Sequence, residues 1–385
     1  MITMTLRRVN SPKHNRLFRQ FTVFLIMSCI LLHPLPTLAS KGTPNSDQFG
    51  YGARLDPLGE EVDLALKAAD AAGLDWIGID FDWARLWHTP QEEPNLVAID
   101  FVMRRARRFD LQVLISLTNP PQWAKTAKGP DRNLTAYLVR MLAERYQQND
   151  LSFELFPAAN TSAGWGSSPD PIAYKEMLRV CWEALQKLGS PAILVGAGLQ
   201  PVPAARPAED WDDLKFLAEL YEAGAVAYMP VVGMRLPDLS LDPMAFPNKD
   251  EPLVLRRYEK VRQVMLQHNH KAGLIWITGF QYSTHTPDSQ ELQARWITHA
   301  YQIMRSQLYL GTAFLDGLNP PTVSPVNGKL YLIRTDGKRI SIHPALNSLA
   351  QLITLDRSGQ PPSGPWLKNS FPTGVEKWKS NPEHP

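Results

Sequence analysis

From residue 48 onward, two kinds of apolar pattern alternate along the chain. Short apolar runs are each followed by a stretch in which apolar residues recur every three or four positions, as on one face of a helix. The predicted strands are 49–55, 74–83, 111–117, 151–156, 192–196, 225–232, 273–278 and 308–315. The predicted helices are 60–72, 99–108, 134–148, 171–188, 210–223, 252–268, 289–306 and 344–355. This repeated strand-then-helix order predicts a single-domain (β/α)₈ TIM barrel.

The first 39 residues have the layout of a secretory signal. They contain five basic residues and no acid, and an apolar run covers 21–32. That run is shorter than the roughly 20 residues that a membrane-spanning helix needs. We therefore expect residues 1–39 to be a signal peptide or an uncleaved N-terminal anchor, 40–355 to form the barrel, and 356–385 to be a Pro- and Gly-rich tail. The expected location is secreted or extracytoplasmic, with membrane contact only if the leader is retained.

Charge and composition narrow the classes of partner. Without the leader, the chain has 35 basic and 38 acidic residues, so the net charge falls to about −3. No basic stripe is present, and nucleic acid is therefore not a predicted partner. Of the two cysteines, Cys29 lies in the leader and Cys181 in an apolar helical stretch, so we expect no disulfide. Neither metal-ligand spacing nor a phosphate-binding glycine loop occurs, and no cofactor or metal is predicted.

Three segments resemble the clan A retaining glycoside hydrolases, which include cellulase-like and β-xylosidase-like enzymes. The segments are Asp75–Trp83 on the second strand, the fourth strand with the Trp165-Gly166 and Pro169-Asp170-Pro171 sequence that follows it, and Ile275–Phe280 on the seventh strand. The resemblance covers most of the chain after the leader. It implies a barrel whose relatives carry two catalytic glutamates, at the ends of strands four and seven.

This chain departs from the pattern of those relatives at both glutamates. Ala158 stands at the acid/base position and Gly279 at the nucleophile position. Gly78 replaces an arginine that usually accompanies the nucleophile, and Arg235 and Pro237 stand where a histidine and a tyrosine are common. Retaining hydrolysis needs two carboxyl groups about 5 Å apart, so the sequence predicts a catalytically degenerate barrel that binds a saccharide or cell-surface polymer without cleaving it.

Two alternatives remain open on the sequence. The chain could be an active O-glycosyl hydrolase that uses relocated carboxylates, for which Glu154, Asp82 and Asp316 are the candidates. Glu154 is also expected deep inside the barrel beside a polar partner, and Asp80 and Asp82 are expected to face the lumen. Asp82 could either bind a ligand hydroxyl or accept bonds from local backbone amides. The other alternative is a scaffold that binds a protein partner.

The predicted ligand-contacting residues combine rings for stacking on a sugar with polar hydrogen-bonding groups. Each of the rings could instead pack against a neighbouring helix, and each amide could instead bond loop backbone. The set is Asp82, Trp83, Trp123, Asn160, Trp165, Gln281 and Tyr282.

Overall fold

Eight parallel strands close into a barrel, in which each strand pairs with the strands before and after it in the chain and the last strand pairs with the first. This computed structural model describes residues 49–203, 206–248, 251–282, 290–322, 330–336 and 339–359. These residues all belong to one unit, 44–385. The predicted leader and nearly all of the predicted tail lie outside the described residues.

The strands are β1 Gly50–Leu55, β2 Trp76–Asp82, β3 Gln112–Thr118, β4 Leu151–Leu155, β5 Ile193–Leu199, β6 Val231–Leu239, β7 Leu274–Tyr282 and β8 Leu310–Leu315. The longer helices are α1 Val62–Ala71, α2 Val97–Arg108, α3 Arg132–Arg145, α4 Pro171–Leu188, α5 Asp213–Glu222, α6 Arg257–Gln267, α7 Gln290–Arg305 and α8 Pro344–Arg357. Short turns (Trp83–Leu86, Gln122–Ala124, Ser162–Trp165 and Ala225–Tyr228) and two small hairpins lie in the loops. The predicted (β/α)₈ barrel is confirmed.

The predicted sixth strand was wrong in its bounds. Residues 225–232 form one apolar run, but Ala225–Tyr228 is a 3₁₀ turn, and β6 begins only at Val231. Gly224, with a φ of 82°, ends the preceding segment, and Pro230 lies between the turn and the strand. Proline has no backbone N–H for a sheet ladder, so it divides the run. The strand β7 also continues four residues beyond its predicted end at 278.

The barrel has apolar packing on both faces of its strands. On β2, Ile77, Ile79 and Phe81 are fully buried in the core between strands and helices. The alternate positions face the lumen, where Trp76 packs with Trp276 and Phe314 in a separate apolar cluster. The Trp76 and Trp276 ring centroids are 5.0 Å apart. These rings fill the lumen near the amino-terminal ends of β2 and β7, which leaves the carboxyl-terminal ends as the open mouth.

Among the described residues, no helix is both long and apolar enough to cross a bilayer.

Helix α8 is capped by a buried histidine. The His343 Nδ1 accepts a hydrogen bond from the Ala345 N–H at 3.2 Å, and the side chain is 8% exposed. Burial, and secondarily the positive charge of Arg334, lowers the pKa of His343 to about 4. Protonation of Nδ1 would remove the acceptor that caps the helix.

We predict that this histidine makes the fold sensitive to acid. An unfolded histidine takes up its proton near pH 6.5. The folded state therefore keeps its full stability above that pH and loses it as the pH falls from about 6.5 toward 4, by on the order of 2–3 kcal/mol. Because asparagine can still cap the helix, His343→Asn should flatten this part of the pH dependence in urea unfolding. An identical slope in the variant and the wild type would refute the assignment.

Candidate functional site

The first feature of the barrel mouth is an arginine that the sequence analysis missed. Arg54 on β1 pairs in register with Gly78 on β2, and a Cβ built on Gly78 would lie 3.0 Å from Nη1 of Arg54. Arg54 is 5% exposed and donates to the Thr278 carbonyl at 2.9 Å, to Ser116 Oγ at 3.2 Å and to Asp80. The strand β1 therefore supplies a guanidinium beside the position where β2 has glycine. A lone arginine near the end of a buried strand was the signal available in the sequence.

A second arginine occupies the equivalent place beside Gly279. Arg235 on β6 pairs in register with Gly279 on β7. A Cβ on Gly279 would lie 2.8 Å from Nε of Arg235 and 2.9 Å from Oδ1 of Asp316. That Asp316 oxygen is 3.6 Å from Nε of Arg54 and 3.9 Å from Nη2 of Arg235. The space next to the predicted nucleophile position is therefore filled by a cation and by its neighbouring carboxylate.

The electrostatic balance keeps Arg235 charged. Burial acts to lower the pKa of its guanidinium, but the nearby carboxylates of Asp316, Asp80 and Glu154 together raise it above its ordinary value. A charged arginine in this position needs acceptors around it, because an ion removed from water loses its hydration.

Glu154 lies inside the barrel, where the sequence predicted it. Its side chain is fully buried and accepts bonds from the Ser116 hydroxyl at 2.5 Å and from the Thr278 hydroxyl. A Cβ on Gly198 would lie 3.1 Å from Oε1 of Glu154 and 2.7 Å from Cα of Pro157, so the loop after β4 covers this carboxyl group. The Glu154 side chain is therefore not accessible to a ligand at the mouth.

The backbone after β4 turns sharply. If the strand continued, alternation of side chains would place Ala158 on the same face as Glu154. The strand ends at Leu155, and Phe156 and Ala158 have φ values of 49° and 61°, in the left-handed region. The Ala158 N–H donates to the Gly198 carbonyl at 2.6 Å. Alternation along a strand therefore does not extend to Ala158, although the position carries no carboxyl group.

Asp82 accepts local hydrogen bonds, which was one of its two predicted roles. Its Oδ1 accepts from the Arg85 N–H at 3.1 Å and from Asn119 Nδ2 at 2.9 Å. It thereby caps the short helix Trp83–Leu86. Asp80 lies two residues earlier on the same strand. Its side chain bonds to Arg54 and is still 47% exposed. The Asp80 side chain is also more exposed than that of Asp316, the other acid close to Arg54, which is 21% exposed.

Three of the four rings predicted as sugar platforms are covered by protein. Trp83 is fully buried, and Trp165 and Tyr282 are each 1% exposed. Burying an indole or phenol ring removes a large apolar area from water. Trp123 is partly exposed. Its ring packs edge-on against Trp87 with centroids 5.1 Å apart, and its Nε1 donates to a backbone carbonyl.

The two predicted amides serve the loops. Asn160 is fully buried; its Oδ1 accepts from the Gln200 N–H at 3.0 Å, and its Nδ2 donates to the Gln200 and Trp211 carbonyls. Gln281 is 5% exposed and donates to the Leu330 carbonyl at 3.1 Å. In the described part of the chain, no cluster of three or more His, Cys, Asp or Glu residues is arranged to hold a metal ion.

Solved structures with the same architecture include a family 39 glycoside hydrolase from Bacteroides cellulosilyticus, with a TM-score of 0.59 and 17% identity over 80% of this chain. This chain has the (β/α)₈-barrel fold of glycoside hydrolases. It spans 63% of the length of the family 39 protein. Because the identity is low, the likeness establishes the fold alone.

This chain aligns with almost the full length of other glycoside hydrolases of known structure. A family 1 β-glucosidase from Thermotoga maritima has a TM-score of 0.55 and 10% identity, over 82% of this chain and 98% of that protein. An endo-β-1,4-glucanase from Xanthomonas axonopodis pv. citri has a TM-score of 0.54 and 13% identity, over 79% of this chain and 98% of that protein. No family model matches the sequence, and no curated protein matches it.

At the mouth of this barrel, two acids lie next to the same arginine. A retaining site places two carboxyl groups about 5–5.5 Å apart and an inverting site about 6.5–9.5 Å apart, with the sugar between them. Here Asp80 and Asp316 both approach the guanidinium of Arg54, at Nη2 and Nε respectively. Arg54 thus contacts both acids, and the group of three side chains can donate and accept hydrogen bonds to hydroxyls.

Proposed function

We propose that this chain is an exported, non-hydrolytic saccharide-binding protein built on a glycoside hydrolase barrel. The observation that carries the proposal is the pair of arginines beside the two glycines. Arg54 lies against Gly78 and Arg235 against Gly279. The Arg235 guanidinium takes up space that a glutamate side chain at position 279 would need, because a Cβ there would lie 2.8 Å from its Nε. Export rests on the sequence of residues 1–39.

The carboxyl groups near the mouth support binding over hydrolysis. Glu154 is buried and bonded to two hydroxyls, and Asp82 caps a helical turn. Asp80 and Asp316 share one guanidinium. A glycosidase needs one carboxyl group as a proton donor and a second as a nucleophile or base. Each of these four acids has a hydrogen-bond or ion-pair partner within the protein.

The binding surface we propose combines polar groups with one ring. Asp80 is half exposed, and Asn119, which bonds to Asp82, is exposed as well. Trp123 follows β3 at the same end of the barrel and presents part of an indole face. Hydroxyl hydrogen bonds and stacking on the apolar face of a pyranose are the two contacts that sugar recognition requires.

Calorimetric titration of the full chain with neutral and acidic oligosaccharides tests this proposal. We expect saturable binding of at least one saccharide, and a loss of about three- to tenfold in affinity in Trp123→Ala. Trp182→Ala is the matched control, because that partly buried indole packs against Tyr228 on the helical side of the barrel. It should bind as the wild type does.

Two results would overturn the proposal. The absence of binding to every saccharide would favour a scaffold for a protein partner. Turnover of any glycoside that depends on Asp82, Asp316 or Glu154 would favour the relocated-carboxylate hydrolase.

A further inference from the structure

Arg235 has an unusual deficit of hydrogen bonds. A guanidinium carries five N–H donors, yet Arg235 makes no hydrogen bond to any described residue, and its Nη1 is buried without a partner. Its nearest carboxylate oxygen, on Asp316, is 3.9 Å away, beyond hydrogen-bond distance. Buried donors are nearly always satisfied in folded proteins, so the unpaired Nη1 of Arg235 calls for an acceptor from outside the described residues.

The neighbouring arginine shows what a satisfied guanidinium in this mouth looks like. Arg54 donates to a backbone carbonyl, to a hydroxyl and to Asp80, and it also lies 3.6 Å from Asp316. Glu154 does not serve Arg235 with a hydrogen bond, because its oxygens accept from the Ser116 and Thr278 hydroxyls. Asp316 is therefore the shared carboxylate of both arginines, and Arg235 is the one that lacks a close acceptor.

Arg235 lies at the mouth of the barrel, where a ligand could supply the missing acceptor. Its side chain is 21% exposed, as is that of Asp316, so neither residue is sealed inside the barrel. It lies beside Gly279, which adds no side chain of its own to the space. A planar guanidinium fork matches a carboxylate in a two-bond arrangement better than it matches a single hydroxyl.

We propose that the ligand is an acidic saccharide whose carboxylate pairs with Arg235. This inference rests on the proposed saccharide-binding function and names the class of its ligand. The ligand carboxylate would supply the hydrogen-bond acceptors that Arg235 lacks among the described residues. Asp80 and Asn119 then remain for the hydroxyl groups of the same or the next ring.

The test compares each acidic oligosaccharide with its own carboxyl-reduced form. The probes are galacturonate, glucuronate and mannuronate oligomers and the same oligomers with each carboxylate converted to a primary alcohol. Because a charge-assisted, two-bond contact strengthens binding by about 1.5–3 kcal/mol, at least one acid should bind the full chain about tenfold or more tightly than its reduced counterpart.

Two substitutions should act in opposite directions. Arg235→Gln should abolish the preference for the acid over its reduced form. Asp316→Asn should strengthen binding of the acid relative to its reduced form, since it removes a competing like charge. Arg145→Gln is the control, because that arginine pairs with Asp100 between two outer helices; it should change neither affinity.

The outcomes separate this inference from the function on which it rests. Equal binding of acid and reduced oligomers, or a preference that survives in Arg235→Gln, would overturn the acidic ligand and leave saccharide binding intact. No binding of any oligomer would overturn the proposed function itself.

Discussion

Replacing Arg54 with methionine is expected to lower the free energy of unfolding by about 3 kcal/mol. Methionine retains much of the apolar stem but removes a guanidinium that bonds the Thr278 carbonyl, Ser116 and Asp80. Breaking a buried pair leaves an uncompensated charge and costs about 3–5 kcal/mol. The lower end applies because Asp80 is 47% exposed and can be hydrated. Urea unfolding at neutral pH measures the change.

Arg179→Met is the matched control for this change. Arg179 also meets two carboxylates, Glu176 at 3.0 Å and Glu183 at 2.7 Å, but it lies on the outer surface of α4 with 31% of its side chain exposed. Surface ion pairs contribute about 0–1 kcal/mol. Equal losses of stability in the two variants would show that the hydrogen bonds of buried Arg54 contribute no more than a surface ion pair does.

Glu154→Ala is expected to have an effect of similar size, about 3 kcal/mol. It removes a fully buried side chain and leaves the Ser116 and Thr278 hydroxyls without their acceptor. The cost combines an interior cavity with unsatisfied polar groups. Glu154→Gln keeps one acceptor oxygen and should cost less. Chemical unfolding of both variants provides the measurement.

Its control is Glu183→Ala, which removes a 39% exposed carboxylate from the same region of sequence. We expect a loss below about 1 kcal/mol. If Glu154→Ala proved as mild as this control, the interior of the barrel would be less tightly bonded than the contacts imply.

The sequence predicted the barrel because its signal is repeated. Each strand buries its outward residues against a helix, so the apolar pattern of Ile77, Ile79 and Phe81 recurs in kind along the chain. The position of Glu154 followed from the same alternation. The bounds near 225–232 did not, because an apolar run does not reveal whether its residues lie in a turn or in a strand.

The chemistry of the mouth was less accessible. Arg54 and Arg235 acquire their roles by lying across from Gly78 and Gly279 on neighbouring strands, and strand register is a property of the closed barrel. The burial of Trp83 likewise depends on rings from two loops, Trp87 and Trp123. Long-range pairings of this kind are not encoded in local periodicity.

Hydrolysis assays on the full chain test the central claim most directly. Aryl glycosides and polysaccharides would be incubated with the wild type and with an Asp80→Asn, Asp316→Asn double variant, and released phenol and new reducing ends would be measured. We predict that the wild type cleaves no substrate faster than the double variant does. Cleavage by the wild type that is lost in that variant, or in Asp82→Asn or Glu154→Gln, would contradict the account.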